Sequence, residues 1–145
     1  MSDQNKAIVR RYVQEVWSGG NFKVADELLD SSYVCYEPGQ TAGPGDREAT
    51  KASIQYYRSA FPDLGVKIDA AVAEGDWVSL RYTYSGTHSG SLGDMPASGN
   101  RITVPAASFF RLRSGKIAEE HDFYDLAGFM QQLKAQPEPA RSMQH

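Results

Sequence analysis

The chain has 145 residues, 41% of them hydrophobic, and a formal net charge of −3 at pH 7. This size and composition suit one domain with a single hydrophobic core. The 15 Lys and Arg residues are scattered along the chain, which argues against a nucleic-acid partner. Because no apolar run is long enough to span a bilayer and no apolar leader follows Met1, we expect a cytoplasmic protein that does not associate with membranes.

Helical spacing of apolar residues dominates the first half of the chain. Asn21 and Asp46 are expected to cap the second and third helices, and Pro62 ends the third. The only cysteine, Cys35, lies in a β-rich segment, so we expect an inert thiol in the core. The predicted elements are a helix at 8–17, a helix at 22–29, a strand at 33–36, a loop at 38–45 and a helix at 47–61.

In the second half, apolar and polar residues alternate, which is typical of strands. Ser114-Gly115 forms the turn between the last two strands. The tail at 135–145 is polar and contains prolines, so it is expected to be loosely ordered. The predicted elements are strands at 64–72, 78–84, 101–113 and 116–124, followed by a helix at 126–133.

Helices followed by a meander of strands predict an α+β fold, with one domain over 1–145 and a core at about 5–134. The antiparallel sheet must curl around the N-terminal helices, and such a sheet leaves a pocket at its open end. We expect this pocket to bind a small apolar organic molecule. Outward-facing Tyr and Phe side chains on the strands predict a homodimer.

The last strand contains the most informative alternation. Residues two apart on a strand point to the same face. One register contains Ile and Phe and is therefore expected to face the interior, whereas the other contains Ala118, Glu120, Asp122 and Tyr124. Apolar surroundings raise a carboxyl pKa and make it a usable base near neutral pH. The expected inward residues are Ile117, Glu119, His121, Phe123 and Asp125, of which Glu119, His121 and Asp125 are the candidate catalytic residues.

Each candidate also has a structural interpretation. Asp125 immediately precedes a helix and is a candidate N-cap. Glu119 is a candidate ion-pair partner of Arg81 or Arg111 on a neighbouring strand. His121 is alternatively a structural residue that is hydrogen-bonded inside the strand.

Six further residues are candidate substrate contacts: Tyr12, Trp17, Glu37, Tyr57, His88 and Phe123. Tyr12 lies on the apolar face of the first helix, where it either only packs or also donates to a ligand carbonyl. Glu37 lies either at the pocket mouth or in a solvated loop, and His88 has a structural alternative. The three histidines lack metal-ligand spacing, and phosphate-binding and redox motifs are missing, so we expect neither metal nor cofactor.

Five short stretches and a closing aspartate stand out in the chain: Val13-Gln-Glu-Val-Trp17, Ala60-Phe-Pro-Asp-Leu64, Ala73-Glu-Gly-Asp76, Gly86-Thr-His-Ser-Gly90, Gly115-Lys-Ile-Ala-Glu-Glu120 and Asp125. Together they resemble the SnoaL-like polyketide cyclases, and the resemblance covers roughly residues 5–134. This family is part of the nuclear transport factor 2-like superfamily, with ketosteroid isomerase and scytalone dehydratase. The resemblance implies a cone-shaped α+β barrel.

The resemblance also implies an aspartate near the end of the last strand as acid/base in an intramolecular aldol cyclisation. Asp125 matches best, and Asp122 is the fallback. Cyclases of this kind place a histidine on the preceding strand, which 101–113 lacks. His121 or His88 would then provide the second polar group, or the chemistry differs. The resemblance to ketosteroid isomerase implies instead Glu37 as base and Tyr12 as donor.

The sequence therefore predicts a cofactor-independent enzyme that acts on a polyketide-like or cyclic carbonyl compound by acid/base catalysis, of the aldol cyclase or isomerase type. Asp125 would be the acid/base, with Glu119, His121 and Tyr12 polarising or orienting the substrate. The alternative is a non-catalytic module of the same fold that binds a small hydrophobic ligand or dimerises. A cavity that ends on the candidate carboxylates would favour the enzyme.

Overall fold

The computed structural model describes residues 2–38, 40 and 43–135. The predicted tail, apart from Ala135, lies outside the described residues. In chain order the elements are α1 (Ser2–Arg11), a π-helical segment (Tyr12–Ser18), α2 (Phe22–Leu28), β1 (Leu29–Tyr36), α3 (Arg47–Ala60), β2 (Gly65–Glu74), β3 (Trp77–Thr87), β4 (Arg101–Arg113), β5 (Lys116–Tyr124) and α4 (Leu126–Lys134).

The five strands form one curled sheet in the order β1-β5-β4-β3-β2. The ladders β2–β3, β3–β4 and β4–β5 are antiparallel, as expected for strands joined by turns. The predicted α+β class is thus confirmed. The sheet is nevertheless mixed, because β1 pairs with β5 in parallel. These are the first and last strands, and no hairpin requires them to run in opposite directions.

The helix boundaries follow local chemistry. The π-helical segment ends before Gly19-Gly20, and Gly20 adopts a left-handed φ of 69°. Asp46 caps α3 as predicted, because its Oδ1 accepts a hydrogen bond of 2.9 Å from the Ala49 amide. The side-chain cap expected from Asn21 is wrong, since its backbone carbonyl accepts from the Val24 amide instead.

The core lies between the N-terminal helices and the concave face of the sheet. Val9, Tyr12 and Val16 from the first helical stretch are fully buried and pack in one cluster with Phe110 and Ile117 from the strands. The helices therefore cover the concave face of the sheet. Among the described residues, no helix has both the length and the apolar character needed to cross a membrane.

A β-bulge interrupts the β4–β5 ladder. Arg111 pairs with Glu119, whereas Leu112 pairs with Ile117, so Ala118 is an extra residue without a partner. Ile117 and Ala118 are both buried, and the inward side chains beyond the bulge are Glu120 and Asp122. The inward register predicted for β5 holds at Ile117 and is wrong after it. A bulge of one residue reverses the faces of all residues that follow.

Asp125 caps α4, as one interpretation of the sequence predicted, with its Oδ1 accepting from the Gly128 amide at 2.9 Å. We expect Asp125→Ala to lower the free energy of unfolding by about 1 kcal/mol, because an orphan amide loses its partner. Asp125→Asn should cost much less, since Asn caps nearly as well. Urea denaturation measures both, and equal losses in the two variants would contradict the capping role.

Candidate functional site

A cavity lies between the helices and the concave face of the sheet. Its empty volume is about 790 Å³, a figure that includes space open to solvent. Most of its wall is aromatic or aliphatic, as in a site for an organic molecule. The apolar wall includes Trp17, Phe61, Leu64, Ile102, Phe110 and Phe129. The polar side chains in the wall are Glu37, Tyr57, Tyr82, Tyr84, Glu120, Asp122 and Tyr124.

Asp122 is a buried carboxylate in this wall, with 7% of its surface exposed. The Ser108 hydroxyl, directly across the β4–β5 ladder, donates to Asp122 Oδ1 at 2.6 Å. Because the Ser108 proton is engaged, the Tyr82 hydroxyl donates in turn to Ser108 Oγ at 2.8 Å. The Cys35 thiol donates to Asp122 Oδ2 at 3.4 Å. These donors hold the Asp122 carboxyl group in a fixed orientation.

Glu120 is the second carboxyl of this wall and is 3% exposed. The Tyr33 hydroxyl donates to Glu120 Oε1 at 2.6 Å. Burial, together with the charge of Asp122 and a hydrogen bond to it, raises the pKa of Glu120 well above its usual range. Burial thus favours the neutral form of the Glu120 carboxyl.

Cys35 is buried at the end of β1, as the sequence predicted. Cys35, Glu120 and Asp122 each offer one atom to a metal ion, and these atoms lie within 4.8 Å of one another. Burial and the neighbouring Glu120 and Asp122 raise the pKa of the Cys35 thiol. In the arrangement described, the thiol is a hydrogen-bond donor to Asp122.

Glu119 and His121 lie on the convex face of the sheet, and the expectation that they point into the pocket is wrong. The Ala118 bulge turns them outward. Glu119 accepts from Arg111 Nε at 2.6 Å, the ion pair that was one of its structural alternatives, and it pairs with His121 Nε2 at 3.0 Å. Hydrogen bonds from His121 and Arg111 lower the pKa of Glu119. It is ionised and solvated, unlike Glu120.

Phe123 was expected in the pocket but also lies on the convex face, where it is 54% exposed. It packs edge-on against Phe109, while Tyr36 stacks on the His121 ring at 4.7 Å. Trp77 extends this convex aromatic face. A homodimer through outward aromatic residues stays a prediction.

Asp125 and two of the expected substrate contacts also lie away from the cavity wall. Asp125 is exposed in its capping role. Tyr12 is fully buried and packs edge-on against Phe110. His88 is fully buried, accepts from the Ser98 amide at 3.2 Å and packs against Phe61. Among the described residues, neither Tyr12 Oη nor His88 Nε2 has a hydrogen-bond partner. Tyr12 and His88 are thus core residues that do not line the cavity.

Trp17, Glu37 and Tyr57 do line the cavity, and their role in substrate binding stays a prediction. Glu37 follows β1 and is half-buried, and burial together with Asp122 raises its pKa. The Tyr57 and Tyr124 hydroxyls interact within the same wall. These residues come from three parts of the chain, and the fold brings them together.

Sequence reasoning missed Glu120 and Ser108 and ranked Asp122 only as a fallback. Both carboxyls were visible in the second register of the last strand, but the sequence gives no signal for a bulge at Ala118. Ser108 stands across from Asp122 on the strand that lacks histidine. A cross-strand hydroxyl partner becomes visible only when the β4–β5 register is known.

The model of the family described as "SnoaL-like polyketide cyclase" matches residues 7–133. The chain belongs to this family. It is 30% identical over 131 residues to the aklanonic acid methyl ester cyclases DauD of Streptomyces sp. (strain C5) and DnrD of Streptomyces peucetius. The match covers 87% of this chain, 79% of DauD and 88% of DnrD.

Solved structures of the SnoaL-like family share the fold. A crystal structure from Jannaschia sp. CCS1, of a protein assigned to the SnoaL-like polyketide cyclases, superposes with a TM-score of 0.84 at 27% identity. That likeness covers 94% of this chain and 95% of the other. The resemblance inferred from the sequence is confirmed.

The Glu120 carboxyl makes stability depend on pH. Its pKa is raised in the native state, so above the ordinary value of 4.5 the unfolded chain releases a proton that the native chain keeps. Native stability should therefore fall as pH rises from 4.5 towards the raised value, by about 1.4 kcal/mol per pH unit from this group. In Glu120→Gln this contribution should vanish.

Chemical denaturation at a series of pH values measures this slope. Glu119→Gln is the matched control, because the neighbouring carboxyl has a lowered pKa and is ionised throughout the same window. The control should keep the wild-type slope. A Glu120→Gln variant with the wild-type slope would contradict a protonated Glu120.

Proposed function

We propose that this SnoaL-like protein is an acid/base enzyme that closes a ring in a polyketide-derived carbonyl compound, with Asp122 as the acid/base. The observation that supports this assignment is a hydrogen-bonded carboxyl group in the wall of an apolar cavity. An apolar cavity suits a polycyclic or aryl ketone, and a fixed carboxylate suits proton transfer at carbon.

In the proposed reaction, Asp122 takes a proton from the carbon between two carbonyl groups and so forms an enolate. The enolate carbon then bonds to the carbon of a second carbonyl group in the same molecule. The resulting alkoxide takes the proton back from Asp122. Protons and electrons balance within substrate and carboxyl, so the steps need no electron acceptor.

Ser108 and Tyr82 take the supporting role that was expected of a histidine. Ser108 holds one oxygen of Asp122, and the Tyr82 hydroxyl holds Ser108. These two hydrogen bonds fix the orientation of the Asp122 carboxyl group, so it need not rearrange during proton transfer. His88 and His121 are outside the cavity wall and are not assigned a part in it.

The substrate class follows from charge as well as shape. The cavity wall contains Glu37, Glu120 and Asp122, and among the described residues that line it there is no Lys, Arg or His. A substrate carboxylate would meet like charge without a counter-ion. We therefore expect an esterified substrate, in keeping with the methyl ester named for DauD and DnrD.

Asp122→Asn should lower turnover of aklanonic acid methyl ester by about 100-fold or more, because the amide cannot accept the proton. Asp125→Asn is the control: it keeps the cap and should keep wild-type turnover. The measurement is product formation by chromatography. Full activity in Asp122→Asn, or its loss in Asp125→Asn, would overturn the assignment. Binding without turnover by the wild-type protein would favour the non-catalytic module.

Substrate charge gives a separate test. The free acid should show a kcat/KM at least about 10-fold below that of the methyl ester, because its carboxylate is repelled in a cavity of low dielectric. The ethyl ester controls for size, since it is larger but uncharged and should stay close to the methyl ester. An equally good free acid would contradict the charge argument.

A further inference from the structure

Two carboxyls share one face of β5 beyond the bulge, and both reach the cavity wall. Glu120 and Asp122 are two residues apart, so their side chains leave the strand in the same direction. A hydroxyl group donates a hydrogen bond to each carboxyl: Tyr33 donates to Glu120 at 2.6 Å, and Ser108 donates to Asp122 at 2.6 Å. Separate donors orient each carboxyl.

The groups around Glu120 offer no positive charge to balance a second carboxylate. The titratable groups described around it are Asp122 on β5, Tyr33 and Cys35 on β1, Glu37 after β1, Tyr12 in the π-helical segment and Tyr82 on β3. The neighbouring β4 places Phe110 opposite Glu120 and Ser108 opposite Asp122, and neither is charged. Two like charges in a dry site are strongly unfavourable. One of the two carboxyls must therefore hold a proton.

Hydrogen bonding decides which carboxyl that is. Asp122 accepts from Ser108 and from Cys35, whereas among the described residues Glu120 accepts only from Tyr33. More donors favour the ionised form. The raised pKa of Glu120, caused first by burial and then by Asp122, agrees with this distribution.

From this geometry we infer that Glu120 is a positioning residue, which holds the single proton of a two-carboxyl pair and donates it in a hydrogen bond to Asp122. The pair then carries a single negative charge, and the cavity does not acquire a second one that would repel an enolate. The effect of Glu120 on the reaction rate, unlike the position of the proton, rests on the proposed function of Asp122.

Infrared spectroscopy tests the proton directly and without substrate. Near neutral pH, wild-type protein should show the carbonyl stretch of a protonated carboxylic acid, and Glu120→Gln should lose that band. Glu119→Gln, the exposed neighbour with a lowered pKa, should keep it. A band that persists unchanged in Glu120→Gln overturns the inference, even if Asp122→Asn is inactive.

The pH profile of kcat/KM tests the positioning role. Glu120→Gln keeps a neutral donor to Asp122 and should keep kcat/KM at neutral pH within about 10-fold, with the acid limb close to the wild-type pH. Glu120→Leu removes the donor, so the acid limb should move up by about one pH unit or more. Coincident acid limbs in the two variants would overturn the role.

The two experiments separate the two proposals. If Glu120→Gln loses the infrared band while Asp122→Asn keeps full activity, the shared proton stands and the proposed function fails. If Glu120→Leu does not fold, the infrared spectrum and the kcat/KM of Glu120→Gln still decide. Glu120→Gln preserves the hydrogen-bond donor, so a kcat/KM that falls by much more than 10-fold would contradict the positioning role.

Discussion

The extra residue Ala118 in β5 determines which side chains enter the cavity. If Ala118 took a regular place in the ladder, alternation from the buried Ile117 would turn Glu119 and His121 inward. Because Ala118 is bulged, Glu120 and Asp122 face the cavity, and Glu119 pairs with Arg111 on the convex face. The polar end of the pocket and the ion pairs outside it therefore depend on one irregularity of the β4–β5 ladder.

Once inside, the two carboxyls require the rest of the polar arrangement. A buried carboxylate is costly unless donors surround it. Three other strands meet this need: Ser108 comes from the neighbouring β4, Tyr33 reaches Glu120 from the neighbouring β1, and Tyr82 reaches Ser108 from β3, beyond β4. The donors are all neutral groups. Such an environment keeps one proton on the pair and leaves the remaining wall apolar, which suits proton transfer at carbon in an uncharged substrate.

The two faces of β5 give similar residues different chemistry. Glu119 and Glu120 are adjacent in sequence, yet the pKa of the first is lowered by His121 and Arg111 and that of the second is raised by burial and Asp122. The difference arises from the partners that each face of the sheet provides. A carboxylate on the convex face remains ionised in solvent, whereas its neighbour is a neutral acid in the core.

The sequence by itself determined the elements, the α+β class, the family and the strand that carries the site. Periodicity, the Asp46 cap and the Ser114-Gly115 turn depend only on residues that are close together in the sequence. Only the tertiary structure decided that Asp122 faces the cavity while Asp125 caps α4, and that Ser108 stands where no histidine is available. A bulge and a cross-strand partner both depend on the register between strands, which follows from packing over the whole sheet and not from the residues of β5 alone.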